Sequence, residues 1–158
     1  MPEPKFIPKR GQVDYTNIRY APALDIVVEH KGKILLAKRS ADRRLYPNCW
    51  ATIDGFLDDS KSIEEKAYEE LREEIGLSAR QVTSLTRGQV LIHEDDKIGK
   101  TWLVVPVLAR VKTKAFILDW EASEAGWFDP KDAGKLDLLP GTLAVIEQFF
   151  PAVKIEPN

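Results

Sequence analysis

Three glutamates, Glu70, Glu73 and Glu74, crowd into the stretch GFLDDSKSIEEKAYEELREEIGL, which runs from Gly55 to Leu77. Ser62 followed by Glu65 has the form of a capping box, and Gly76 supplies a stop, so the residues between are predicted to be helical. Ile63, Ala67, Leu71 and Ile75 recur every four residues and mark the side that faces a core. At about 100° per residue, Glu74 falls about 60° from Leu71, Glu70 about 100° and Glu73 about 160°, all in the same sense. The three carboxylates thus share one sector whose near edge borders the buried stripe.

That border position decides what they can do. Carboxylates gathered beside a core repel one another and lose hydration, and both effects oppose ionisation. A hard divalent cation removes the penalty, and oxygen donors of this kind suit magnesium. The chemistry then available is metal-assisted hydrolysis, in which the ion binds phosphate oxygens and acidifies a water. The competing reading is an exposed helix laced with ion pairs, for which Lys66 with Glu70 and Glu69 with Arg72 have the right spacing.

The surrounding elements must hold this helix. ALDIVVEH and KILLAKRS are apolar, β-branched runs separated by Lys31-Gly32, which reads as a strand pair with a tight turn. SADRRLYPNCW reads as a loop leading to a short strand, WATIDGF. Two longer β segments, SLTRGQVLIH and TWLVVPVLARVK, flank an acidic turn, and Pro106 in the second points to an edge or a bulge. EAGWFDP reads as a further short strand and TLAVIEQFF as a closing helix with Leu143, Ile146 and Phe150 on one face. Residues 1–20 read as an extended arm, 21–152 as a single α/β domain and 153–158 as a tail.

A chain of 158 residues with 44% apolar residues can bury one ordinary core. A formal net charge of −2 argues against a general nucleic-acid binder, though not against small phosphorylated ligands. Cys49 is the single cysteine, which excludes an intramolecular disulfide and a cysteine metal cage. The first residues, MPEPKFIPKRG, lack a signal-peptide core, and WLVVPVLA is too short to span a bilayer. A cytoplasmic setting is the expectation.

The stretch from Gly55 to Leu77 resembles the Nudix box, G-x5-E-x7-R-E-U-x-E-E-x-G-U with U apolar. Gly55, Glu70, Leu71, Glu73, Glu74, Gly76 and Leu77 fall at matching places. ILLAKRS, the Pro47–Trp50 approach and GWFDP are also similar to features of that family, so the resemblance covers roughly residues 20–150. It implies an α/β/α sandwich with a mixed central sheet and hydrolysis of a nucleoside diphosphate linked to another moiety. It implies Glu70, Glu73, Glu74 and the Gly55 carbonyl as ligands of Mg2+, with Mn2+ as the alternative ion, and Glu73 or Glu74 as the catalytic base. Many relatives dimerise, so a homodimer is an assembly the resemblance allows.

Two box positions depart. Lys61 stands where the family has glutamate and Glu69 where it has arginine, residues that bridge the loop to the helix. With both signs reversed an attractive pair survives, so Lys61→Glu should destabilise and a further Glu69→Arg should restore stability. The rival reading is a weakened site, because Glu69 adds negative charge where the family arginine orients the glutamates. A third departure is TIDGF in place of a PGG-type approach, which leaves Asp54 beside Gly55, there to shape the turn rather than bind metal.

Phosphates need cations, and Arg39, Arg43 and Arg44 flank the loop before the box, with Arg39 the first choice because a strand end is well fixed. Glu94, Asp95 and Asp96 read as a solvated hairpin turn, and Trp50, Trp102 and Trp127 as core. His30 and His93 have no zinc spacing, and Cys49 reads as a bystander. Two alternatives to a hydrolase remain. One is a nucleotide-binding module that kept the fold and lost turnover. The other is an isomerase resembling isopentenyl diphosphate isomerase, which Cys49 fits poorly because it precedes Trp50.

Overall fold

The structure is a computed structural model, and it describes residues 3–151. Residue 152 of the expected domain and the expected tail lie outside that range. β1 (Tyr20–His30) and β2 (Lys33–Arg39) form a hairpin across Lys31 and Gly32, whose φ angles are 49° and 83°. Two left-handed residues in a row give the turn whose twist matches its strands.

β1 also runs parallel to β7 (Lys100–Val111), from the Tyr20–Thr101 pair to Glu29–Arg110. The N-terminal half of β1 pairs antiparallel with β4 (Ile53–Phe56). β2 carries β3 (Trp50–Ala51) and β8 (Ala122–Phe128). The other side of β7 is shared by β5 (Val82–Arg87) and β6 (Leu91–Asp95). The sheet is therefore mixed.

Alternation along the central strands sends side chains to two cores. Ile26, Val28, Leu35, Ala37, Val107 and Ala109 pack with Ala67, Leu71 and Ile75 of α1 (Ile63–Ile75). Val27, Ile34, Leu36, Val104 and Leu108 pack with Val145 and Ile146 of α2 (Thr142–Phe149). One helix covers each face, which gives the expected α/β/α sandwich. No helix among the described residues is long and apolar enough to cross a membrane.

Several local expectations are corrected. SLTRGQVLIH is two strands, β5 and β6, broken at Gly88. Pro106 lies inside the central strand β7. Its partners change from β6 to β5 around that point, and Gly88 N–H donates to its carbonyl at 2.8 Å. The missing proline N–H therefore falls in a gap between two ladders. The buried face of α2 holds Thr142, Val145 and Ile146, whereas Leu143 and Phe150 are half-buried. Asp95 is buried and accepts the Tyr46 hydroxyl at 2.8 Å, so the acidic hairpin is not simply solvated.

The arm is irregular but attached. Lys100 Nζ donates to the Tyr15 and Ile18 carbonyls at 2.6 Å each, and Thr101 N–H donates to the Arg19 carbonyl at 2.8 Å.

Candidate active site

α1 begins as its sequence prescribes. Ser62 Oγ accepts from Glu65 N–H at 3.2 Å, and Glu65 Oε2 accepts from Ser62 N–H at 3.1 Å. The helix ends at Gly76, whose φ of 69° needs a residue without a Cβ penalty. With Ala67, Leu71 and Ile75 buried, Glu70 and Glu74 are drawn to the margin of the core while Glu73 is exposed. β4 brings Gly55 against the helix, opposite Leu24 of β1. A Cβ at Gly55 would overlap the Glu70 carboxylate, so glycine is what lets that carboxylate lie on the strand.

The loop before β8 supplies the remaining wall. It is laced to the end of α1 by Ile117 N–H to the Ile75 carbonyl at 3.0 Å and Asp119 N–H to the Glu74 carbonyl at 3.3 Å. This sets Glu121 beside Glu74, and the hydrogen bond between their side chains raises Glu74 while it lowers Glu121. Arg43 Nη1 stands 3.6 Å from Glu121 Oε2, and Arg39 Nη1 stands 3.5 Å from Asp54 Oδ2. A pocket is lined by Arg39, Arg43, Thr52, Asp54, Glu74 and Glu121.

Too little positive charge faces these acids for all of them to ionise. Burial, then the charges of Glu121 and Asp54, push the Glu70 carboxyl up to about 8. Burial and the same two acids push Glu74 well above the carboxylate range. Burial also raises Glu121, against the pull of Glu74's hydrogen bond and Arg43. Asp25, the cross-strand partner of Asp54, is pushed up to about 8 by burial and then by Asp54. Among the described residues, no group of three or more His, Cys, Asp or Glu forms a ready-made metal cage. The donors do fit a hard divalent cation in kind, being carboxyl oxygens whose ionisation is opposed by burial and by one another's charge.

The sequence-predicted residues separate into three groups. Gly55, Glu70 and Glu74 meet at this site, and Glu73 lies on the outer side of the helix, close enough for its charge to raise Glu70. Arg43 faces the acids, and its Nε is buried without a partner. Arg44 is exposed, with its N–H donating to Glu3 Oε2 at 2.7 Å. Arg39 is turned inward: Nε donates to the Leu45 and Tyr46 carbonyls at 3.1 and 3.2 Å, and Nη2 to Leu45 at 2.8 Å.

The expected i,i+4 pair of Lys66 with Glu70 is replaced by contacts of the buried Lys66 Nζ to Asp58 at 3.0 Å, Asp59 at 3.2 Å and Glu69 at 3.5 Å. Glu69 pairs with Lys61 at 2.6 Å instead of with Arg72. Asp54 stands in a strand within the acid cluster, not in a turn.

Sequence reasoning missed Glu121 and Asp25. Glu121 is one residue before β8, and its position follows from the register that sets Ala122 opposite Arg39. A charged residue in the apolar run ALDIVVEH was the available signal for Asp25.

A family model described as "NUDIX domain" matches residues 19–149. The nucleoside triphosphatase NudI of Escherichia fergusonii is 25% identical over 122 residues, which cover 73% of this chain and 86% of that protein. The crystal structure of a MutT NUDIX hydrolase from Burkholderia pseudomallei superposes with a TM-score of 0.69 at 23% identity, covering 83% of this chain and 98% of that one. The NUDIX domain of Shewanella oneidensis NrtR, solved in complex with ADP ribose, gives a TM-score of 0.70 at 20% identity over 84% of this chain and 88% of that one.

Proposed function

Because the chain belongs to the NUDIX family of pyrophosphohydrolases, we propose that it cleaves a diphosphate bond in a nucleoside diphosphate linked to another moiety, with Mg2+ or Mn2+ as its ion. The observation that carries this reading is the gathering of the half-buried Glu70 and Glu74 with Glu121, where Glu70 lies against Gly55 and Arg43 faces Glu121.

In this reading Glu70, Glu74 and the Gly55 carbonyl hold the ion, with Glu73 at the rim as a further ligand. When bound, the ion neutralises charge on the phosphate oxygens and acidifies a water. The base is drawn from Glu73 and the hydrogen-bonded pair of Glu74 and Glu121. Arg43 offers an unpartnered Nε to a phosphate, and Arg44 adds charge on the approach. Arg39 shapes the loop and holds Asp54. The single cysteine supports a cytoplasmic setting.

The test is product release from a panel of nucleoside diphosphate derivatives with Mg2+, with wild type and Glu74→Gln run side by side. Turnover that needs the ion and collapses in the variant is the expected result. A folded wild type that releases nothing across the panel would overturn it.

The second reading is a nucleotide-binding module without turnover. The reversed charges of Lys61 and Glu69 favour it, as does the similar NrtR domain solved with ADP ribose. Thermal stabilisation by ADP ribose without hydrolysis would select it.

A further inference from the structure

We propose that the N-terminal arm is a working part of the metal site, with Gln12 and Tyr15 as positioning residues for the loop that follows Gly55. The inference rests on reading Gly55 and Glu70 as metal-holding groups. It concerns a segment that lies almost wholly before the family match, which starts at residue 19.

The arm grips three consecutive residues directly after Gly55. The Tyr15 ring stacks on Phe56 at 5.7 Å and 13°. Tyr15 also donates its hydroxyl to the Leu57 carbonyl at 3.1 Å. Val13 N–H donates to the Asp58 carbonyl at 2.6 Å, and Gln12 Nε2 donates to Asp58 Oδ2 at 2.9 Å.

Asp58 is where the arm reaches the helix. Its other oxygen accepts from Lys66 Nζ at 3.0 Å, and both residues are buried. Lys66 lies one helical turn before Glu70, so Gln12, Asp58 and Lys66 form a continuous chain from the arm to the metal-binding helix. At its start the arm touches the opposite wall, where Glu3 accepts the N–H of Arg44. It therefore ties both the loop after Gly55 and the arginine loop to the body of the domain.

A main-chain carbonyl serves as a metal ligand only if its peptide is held in place. Sites of this kind need geometry fixed within about 0.5 Å by surrounding contacts. Gly55 and Phe56 pair with β1, and Leu57 N–H donates to the Pro22 carbonyl at 3.1 Å, but from Asp58 the chain leaves the sheet and runs irregularly to α1. The arm adds to the sheet's hold on Phe56 and Leu57, and at Asp58 it supplies the contacts that the sheet does not.

The experiment compares full-length wild type with Gln12→Ala, Gln12→Glu and Tyr15→Phe. Bound Mn2+ is measured by electron paramagnetic resonance at a temperature where circular dichroism shows every protein folded. Gln12→Ala should weaken Mn2+ binding about 10-fold, as loss of groups supporting metal ligands does. Gln12→Glu, which faces Asp58 with a like charge, should weaken it further. Tyr15→Phe keeps the stacking and should fall between wild type and Gln12→Ala.

The Mg2+ concentration for half-maximal turnover should shift in the same order, with KM at saturating Mg2+ nearly constant. Equal Mn2+ affinities in all four folded proteins would overturn the proposal and leave the hydrolase reading intact. Graded Mn2+ affinities without turnover would sustain the proposal and overturn the hydrolase. A wild type that binds no Mn2+ would overturn both.

Discussion

Lys61 Nζ lies 2.6 Å from Glu69 Oε2, tying the loop before α1 to that helix. The pair is one edge of a network, since Lys61 also meets Asp59 Oδ2 at 3.2 Å and Glu69 Oε1 meets Lys66 Nζ at 3.5 Å. This changes what a charge swap should do. Lys61→Glu sets a carboxylate against Asp59 and Glu69, and Glu69→Arg sets a guanidinium against Lys61 and Lys66. Each single variant should melt below wild type.

The double variant re-forms the pair but leaves repulsion at Asp59 and Lys66. Its thermal midpoint should exceed the additive expectation and still fall short of wild type, a partial restoration of stability. A double variant at or below the sum of the singles would remove the bridge as an explanation.

Stability in the absence of divalent ions should fall as pH rises. Glu70 is raised from 4.5 to about 8 in the folded protein, and Glu74 and Glu121 are raised as well. The folded state then holds protons that the unfolded chain has released, so stability is fullest below the ordinary carboxylate range and is lost toward about 8. Asp59, held down at about 2 chiefly by its hydrogen bond from Lys61 N–H, acts in the opposite sense at lower pH. Thermal midpoints in EDTA from about pH 5 to about pH 9 should decline, and Glu121→Gln should flatten the decline. A level or rising profile would refute the account of the acid cluster.

The sequence disclosed what depends on local chemistry. The capping box, Gly76 and the four-residue stripe place α1 and point Glu70 and Glu74 toward the core, because a helix's faces follow from spacing alone. Glu121, Asp25 and the true setting of Asp54 were hidden because strand pairing sets them. Asp25 meets Asp54 only through the β1–β4 register, and Glu121 reaches Glu74 only once the preceding loop is laced to α1. Arg39 was legible in part. Its position at a strand end was read correctly, but the direction of its guanidinium depends on carbonyls exposed by Tyr46 and its neighbour, and Tyr46 has a φ of 50° that spacing does not reveal.

Gly55→Ala should separate folding from chemistry. Gly55 is in a strand, and its φ is not among the positive values, so alanine fits the backbone. The added methyl meets the flexible end of Glu70, which can rotate away. Stability should change little while a proposed metal ligand is displaced, and turnover should drop about 10²-fold, the loss typical of a misplacement near 1 Å. Wild-type turnover in a folded Gly55→Ala protein would show that Glu70 need not lie against the strand.

Arg39 should matter first for stability. Its side chain is 9% exposed, and its guanidinium satisfies the Leu45 and Tyr46 carbonyls and faces Asp54. Its main chain also holds the loop, with Arg39 N–H donating to the Cys49 carbonyl at 2.8 Å and Asn48 N–H donating to the Arg39 carbonyl at 3.0 Å. Arg39→Met keeps those main-chain bonds but strands two carbonyls and a carboxylate, which should cost about 3 kcal/mol in urea unfolding, as loss of one partner from a buried pair does. Arg39→Lys restores a charge for Asp54 but not the planar fork that spans both carbonyls, so it should recover only part of the loss. Because the same loop carries Arg43, both variants should also raise KM. A fully stable Arg39→Lys protein with a raised KM would move Arg39 from holding the loop to binding substrate.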